Sequence, residues 1–238
     1  MDNQDMKKKA AGEKAAEFVK DGMVVGLGSG STMYWAIKKL GDLVKEGISI
    51  KGIPSSVRTA DWAKEFGVPL TDFSEVQRID LAIDGADEID PAFGCIKGGG
   101  GSLLREKIVD AAADQFIVVA DDSKLVSVLG QFPLPVEVVP FGYEVVKEQI
   151  AGLGCEPVLR MKGDQPFITD NQNVILDCSF LEIKDPQKLH DQLKSLIGVV
   201  ETGLFIHMAD IVVAGRSTGV EILKKRKVTK NEAARKND

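Results

Sequence analysis

The chain has 238 residues, 44% of them hydrophobic and 28% charged. This is a globular composition that excludes collagen-like, disordered and membrane-spanning classes. The formal net charge of −6 argues against a basic nucleic-acid-binding face, and two histidines, His190 and His207, are too few for most histidine-based zinc sites or histidine-centred triads.

Helix-like and strand-like stretches alternate through the first half. Lys7 to Val19 is helical in its apolar spacing and ends at Asp21-Gly22. Met23 to Val25 reads as a buried strand running into Gly26-Leu27-Gly28-Ser29-Gly30-Ser31-Thr32. A helix over Met33 to Val44, a strand over Ile48 to Ile53 and a helix over Arg58 to Phe66 follow. Ile79 to Ile83 is a strand ending at Asp84, Ser102 to Ala113 a helix, and Phe116 to Ala120 an apolar strand ending at Asp121-Asp122. Doubly buried strands alternating with helices predict an α/β, Rossmann-like parallel sheet.

The character changes near Gly130. Prolines 133, 135 and 140 punctuate an extended run, Val136 to Val139. Then come a helix over Tyr143 to Ala151, strands at Pro157 to Met161 and Val174 to Cys178, a helix from Pro186 to Leu196, and an extended stretch from Gly198 to Phe205. This predicts a smaller α+β, ferredoxin-like domain over residues 131–204, with 1–130 and 205–238 forming the catalytic α/β domain. Asp210 to Gly215 reads as one more buried strand, returning to the first sheet. From Lys224 onward the chain is basic, which suggests a solvated terminal segment, with a nucleic-acid contact as the alternative. Cys95, Cys155 and Cys178 form no CxxC, and Met1 to Glu13 lacks the apolar region of a signal peptide. The expected compartment is therefore a reducing cytoplasm, with no membrane partner.

Three segments carry candidate chemistry. The glycine-rich turn at 26–32 joins a strand to a helix N-terminus, a natural anion site. It lacks the Walker lysine, has Ser31 where a dinucleotide fingerprint needs glycine, and is followed by no ribose-binding acid after Ile53. A phosphate on a small molecule fits better than NAD, and a tight turn without ligand is the alternative. Asp84-Gly85-Ala86-Asp87-Glu88-Ile89-Asp90 places four carboxylates at the sheet edge where ligands bind. They suit proton transfer or a divalent cation, while Glu88 and Asp90 fit a solvated polar turn. Lys97-Gly98-Gly99-Gly100-Gly101-Ser102 offers bare backbone beside a mobile cation. Glu106, just after it, is either a helix-terminus acid favoured by the dipole or a general base aimed over the glycine loop. Lys124 lies on the same sheet edge, as phosphate partner or surface lysine, and Lys8 is a weaker candidate. His190 is expected at the rim, His207 in a structural role, and Trp35 and Trp62 in helix packing.

Gly26–Thr32, Asp84–Glu88, Lys97–Gly101 and Leu104–Lys107 together resemble the type A ribose-5-phosphate isomerases. Phe132–Val138, Thr169–Asn171 and Gly198–Phe205 extend the resemblance from about Lys7 to Leu223. It implies interconversion of D-ribose 5-phosphate and D-ribulose 5-phosphate in the pentose phosphate pathway by a homodimer or homotetramer, with no cofactor and no metal. By motif position, Glu106 matches the proton-transferring base, and Asp84, Asp87 and Lys97 match residues around the reacting end of the sugar. The substrate contacts it implies are Ser29, Gly30, Ser31, Thr32, Asp84, Gly85, Ala86, Asp87, Lys97, Gly98, Gly99 and Gly100, with Lys124 and Lys8 on the phosphate side. Ser29 stands where threonine is frequent, which preserves a hydroxyl. A coenzyme A transferase, with Glu106 as nucleophile, and a non-catalytic sugar-phosphate sensor are the rival readings. The first gives residues 84–88 no role, and the second lacks room for a DNA-binding motif before Met23.

Overall fold

A computed structural model of the chain describes residues 2–225. In chain order the elements are α1 (Asn3–Ala16), β1 (Val24–Leu27), α2 (Ser31–Lys45), β2 (Lys51–Pro54), α3 (Val57–Phe66), β3 (Leu81–Gly85), β4 (Glu88–Ile89), β5 (Cys95–Ile96), α4 (Leu103–Ala111), β6 (Phe116–Asp121), β7 (Leu134–Val138), α5 (Tyr143–Ala151), β8 (Glu156–Leu159), β9 (Met161–Lys162), β10 (Gln165–Pro166), β11 (Val174–Ser179), α6 (Pro186–Lys194), β12 (Val199–Thr202), β13 (Leu204–Phe205), β14 (Ile211–Arg216) and β15 (Gly219–Lys224).

The chain has an α/β fold. Its main sheet runs β15-β14-β6-β3-β1-β2, parallel throughout except for the antiparallel edge strand β15. Side chains alternate across strands of period two. Leu81, Ile83, Ile117 and Val119 therefore pack one way, against Ala11 and Ala15 of α1 and Met33, Ile37 and Leu40 of α2. Ala82, Phe116, Val118 and Ala120 face the other way, against Ile89, Phe93, Cys95 and Phe205. Both faces are covered, which explains the continuous apolar runs in these strands.

A second sheet, β12-β7-β11-β8, is antiparallel. Val146 and Ile150 of α5 and Leu189 and Leu193 of α6 bury against it in a core of its own. The order of its elements, strand-helix-strand then strand-helix-strand, is the ferredoxin-like arrangement. A three-stranded sheet, β13-β5-β4, joins the two parts.

Three expectations need correction. The strand expected from Ile48 begins at Lys51, because Gly47 (φ +108°) turns the chain, Ile48 N–H closes α2 on Leu43 O, and Asp21 caps Ser49 N–H. The extended run at 198–205 is two strands in different sheets. Gly203 breaks it, donating to Pro135 O at 2.7 Å and accepting from Lys97 N–H at 2.9 Å. The first helix starts at Asn3, capped by the Asp2 carboxylate on Asp5 N–H. The edge strand β15 was not expected. The basic segment lies outside the described residues beyond Lys225.

Candidate active site

Strands β1, β3 and β6 lie side by side and parallel, so the loops at their carboxyl ends converge on one edge. Residues 28–30 leave β1 there, 84–87 leave β3 and 121–124 leave β6. The loop between β5 and α4 closes over them. Between these loops lies a cavity of about 150 Å³. Its wall carries Lys8, Ser29, Gly30, Ser31, Thr32, Gly85, Ala86, Asp87, Lys97, Gly98, Gly100, Glu106 and Lys124, with Gln4, Ala120 and Asp121 beside them. Residues far apart in sequence are thus brought together as the motifs suggested. Gly99 stands off the wall and donates its N–H to Asp87 Oδ2 at 2.8 Å.

Asp84, next to last in β3, lies beneath the wall, 0% exposed. Its Oδ1 accepts from Ser29 N–H (2.9 Å) and Gly85 N–H (2.6 Å), and its Oδ2 lies 2.7 Å from Lys97 Nζ. Bare backbone at Gly28 permits this approach, because a Cβ there would overlap the Asp84 carboxylate. Lys97 is only 2% exposed. Besides Asp84, its ammonium donates to Gly85 O at 2.6 Å and lies 3.4 Å from Glu106 Oε2. The expectation of a mobile cation is therefore corrected. Carboxylates from β3 and α4 hold this lysine, and it reaches the cavity as a fixed charge.

Glu106 sits in the first turn of α4 and is 4% exposed. Burial, then the nearby Asp84 charge, push its pKa up to about 8 against the pull of Lys97. Burial also raises Asp84, opposed by Lys97 and by the Ser29 and Gly85 N–H donors. For Lys97, burial disfavours the ammonium, but the Asp84 and Glu106 carboxylates outweigh it and raise the pKa. The neighbouring Lys107 points elsewhere. It donates to Glu201 Oε1 (2.9 Å), Thr202 O (2.7 Å) and Leu204 O (2.9 Å), fastening α4 to β12 and β13. Burial lowers its pKa to about 8, with Glu201 opposing.

Several neighbours escaped the sequence reading. Asp110, one turn after Glu106 on α4, is 3% exposed, and neither of its carboxyl oxygens has a donor among the described residues. Burial, then the charge of Asp84, hold its pKa well above the ordinary value. The four-residue spacing from Glu106 is the signal that could have found it. The Ser29 hydroxyl lies within 3.0–3.2 Å of the hydroxyls of Ser55, Ser56 and Thr59. Arg105 donates to Asn171 Oδ1 and Asp170 O, tying α4 to the 169–171 turn. Glu88 is not solvated. It is buried and accepts from Gly130 N–H (2.7 Å) and Phe132 N–H (2.6 Å). Asp90 caps Ala92 and Gly94 N–H groups. His190 is half-buried and bonds Thr202 Oγ1 at 2.8 Å, away from the cavity.

Residues 51–219 match the family described as ribose 5-phosphate isomerase A (phosphoriboisomerase A). Ribose-5-phosphate isomerase A 1 of Oceanobacillus iheyensis is 53% identical over 223 residues, covering 93% of this chain and 100% of the relative. A D-ribose-5-phosphate isomerase structure in complex with phospho-erythronic acid superposes with TM-score 0.91 at 41% identity, covering 94% of this chain and 100% of the other. The ribose 5-phosphate isomerase of Plasmodium falciparum superposes with the same TM-score, 0.91, at 36% identity and the same coverage, 94% and 100%. With its sequence matched almost end to end and its fold superposed on solved members, the chain belongs to the ribose 5-phosphate isomerase A family.

Proposed function

We propose that the protein interconverts D-ribose 5-phosphate and D-ribulose 5-phosphate through an enediolate, with Glu106 moving the proton. The observation that carries this reading is the buried pair on the cavity wall. A carboxyl with its pKa raised to about 8 stands 3.4 Å from a fixed ammonium. Aldose–ketose isomerisation removes the proton on C2, next to the aldehyde, and returns it to C1. As the carboxylate, Glu106 takes the C2 proton, and negative charge develops on O1. Lys97 and a glycine-loop N–H face that oxygen and stabilise it without reorganising. A proton passes from O2 to O1, Glu106 returns its proton to C1, and the ketose forms. One carboxyl thus serves as base and then as acid.

Asp84 lies beneath the wall and acts through Lys97, whose ammonium it holds. This pair is assigned to opening the sugar ring, and Asp87 to orienting the hydroxyls. Ser29 to Thr32 and the residues 85–86 bound the sugar, and Lys8 and Lys124 take the phosphate. Anchoring the remote phosphate holds C1 and C2 in place. The chemistry is assigned to residues 1–130 with 205–238, and the shaping of the cleft to residues 131–204. The reaction belongs to the non-oxidative branch of the pentose phosphate pathway in the cytoplasm. A homodimer or homotetramer is supported by Phe141 and Ile197, which are 95% and 92% exposed on the smaller part.

Transfer of solvent deuterium into ribose 5-phosphate tests substrate and proton transfer together. Glu106→Gln is expected to keep sugar-phosphate binding while kcat falls by about 10²–10⁴-fold, the usual range for a lost general base. Near-normal turnover in that variant would remove Glu106 from its role.

A further inference from the structure

Arg160 follows β8 in the second sheet, outside the cavity wall, yet its guanidinium reaches the glycine loop. Its Nη1 donates to Gly98 O at 2.8 Å and to Gly99 O at 3.1 Å. The other side of the guanidinium is held by Asp177 of β11. Nε donates to Oδ2 at 2.9 Å, and Nη2 pairs with Oδ1. The Arg160 backbone is pinned as well, donating to Ile175 O at 2.9 Å and accepting from Phe167 N–H at 2.8 Å. The side chain is only 14% exposed. Two carbonyls of the loop are therefore fixed on a rigid cation.

Peptide planarity gives this contact a consequence on the opposite side. In a trans peptide the C=O of one residue and the N–H of the next point in opposite directions within one plane. With the Gly98 and Gly99 carbonyls turned to Arg160, the N–H groups of Gly99 and Gly100 must face away from it. The first does so visibly, because Gly99 N–H lands on Asp87 Oδ2, a residue of the cavity wall. The second belongs to Gly100, itself on the cavity wall, and has no partner among the described residues. Consecutive glycines have little intrinsic preference between the two orientations of a peptide plane. Without an outside hold, the Gly99–Gly100 plane is free to flip and put a carbonyl oxygen where the donor should be.

We infer that Arg160 is a positioning residue for the isomerisation: by holding the Gly98 and Gly99 carbonyls it presents the Gly100 N–H to the oxygen that gains charge in the enediolate. The inference rests on the enediolate reading above and adds to it a residue that follows the second sheet's strand β8. A donor aimed at developing charge acts mainly in the transition state, so its loss lowers kcat more than it raises KM. A tether that merely joined the two sheets would leave that balance unchanged.

The test compares wild type with Arg160→Lys, which keeps the charge but cannot bridge two carbonyls and Asp177. Asp177→Asn is the milder second variant. For each, the folded fraction, kcat, KM for ribose 5-phosphate and the inhibition constant of phospho-erythronic acid are measured. The carboxylate of that acid carries negative charge on oxygen, as the enediolate does. In Arg160→Lys, kcat is expected to fall by about 10–100-fold, somewhat less than deletion of an oxyanion donor. KM should stay nearly constant, inhibition should weaken in step with kcat, and Asp177→Asn should show the same pattern at smaller size. An unchanged kcat, or a raised KM with unaltered kcat, in folded Asp177→Asn or Arg160→Lys would overturn the role. Near-normal turnover in Glu106→Gln would instead overturn the proton-transfer reading on which the inference rests.

Discussion

Three carboxyl groups, Asp84, Glu106 and Asp110, crowd near one ammonium beneath the cavity, and all four side chains are buried. Lys97 sides with Asp84 at 2.7 Å and with Glu106 at 3.4 Å, which leaves Asp110 without a cation or an N–H donor. Glu106 must be ionised to accept a proton, and its pKa is about 8. In the free enzyme, kcat/KM should therefore rise with pH up to about 8 and fall roughly tenfold per pH unit below it. A pH–rate profile over pH 6–9 checks this. Asp110 behaves differently: burial and the nearby Asp84 charge raise its pKa well above the ordinary value. Its raised folded pKa means that the folded chain binds more protons than the unfolded one once pH exceeds the ordinary aspartate value, about 3.9. That part of the stability is present at low pH and is lost as pH rises. Asp110→Asn removes the dependence. Its stability relative to wild type should increase between pH 4 and pH 7, with a gain on the order of 1 kcal/mol at neutral pH, read by denaturant unfolding. The acidic limb of its rate profile should barely move, since no charge is removed. The functional residues were legible as motifs, but their environments were not. Lys97 looked mobile because its partners come from β3 and α4, which no spacing along residues 97–102 reveals. Asp110 was not singled out, because its burial beside Asp84 comes from the packing of α4 on β3.

At the scale of elements, the packing of β1 against β3 sets the Asp84 carboxylate under the first loop. The closeness of that approach depends on Gly28. Gly28→Ala should drive Asp84 off Lys97. The overpacking should destabilise by about 1–3 kcal/mol and kcat should drop as well, checked by melting and steady-state kinetics. A full-length kcat in a protein with the wild-type melting point would contradict the described contact. β3 and β6 could be read from sequence because both their faces are covered and their apolar runs are continuous. The helices declared themselves by their spacing. The two-residue strands β4, β5 and β13 carry no periodicity to read, so the sheet linking the two parts stayed invisible. The break at Gly203 was hidden for a related reason: its cause is Lys97 N–H and Pro135 O, both contributed by distant segments.

At the scale of the molecule, a net charge of −6 is poorly matched to an anionic substrate. The local arrangement offsets it. Lys8 from α1 and Lys124 after β6 meet on the wall of one cavity, far along the chain from each other. Lys124→Ala is expected to raise KM for ribose 5-phosphate by about tenfold, or 1.4 kcal/mol of binding, and to leave kcat nearly unaltered. Raised salt should lift the wild-type KM as well, by screening. An unchanged KM in the variant would move the phosphate elsewhere.

The main sheet also imposes an order on the making of the protein. β1, β3 and β6 carry the cavity loops and emerge early, but β6 has no outer neighbour until β14, at Ile211–Arg216, pairs with it. All of β7 to β13 is synthesised in between. A nascent chain that already holds every proposed catalytic residue thus still exposes an open, apolar strand edge, a template for pairing with other chains. The second sheet must fold, or wait, while that edge is uncovered. Shielding by chaperones matters most in this interval, which closes when the late β14–β15 hairpin pairs with β6 and covers its edge.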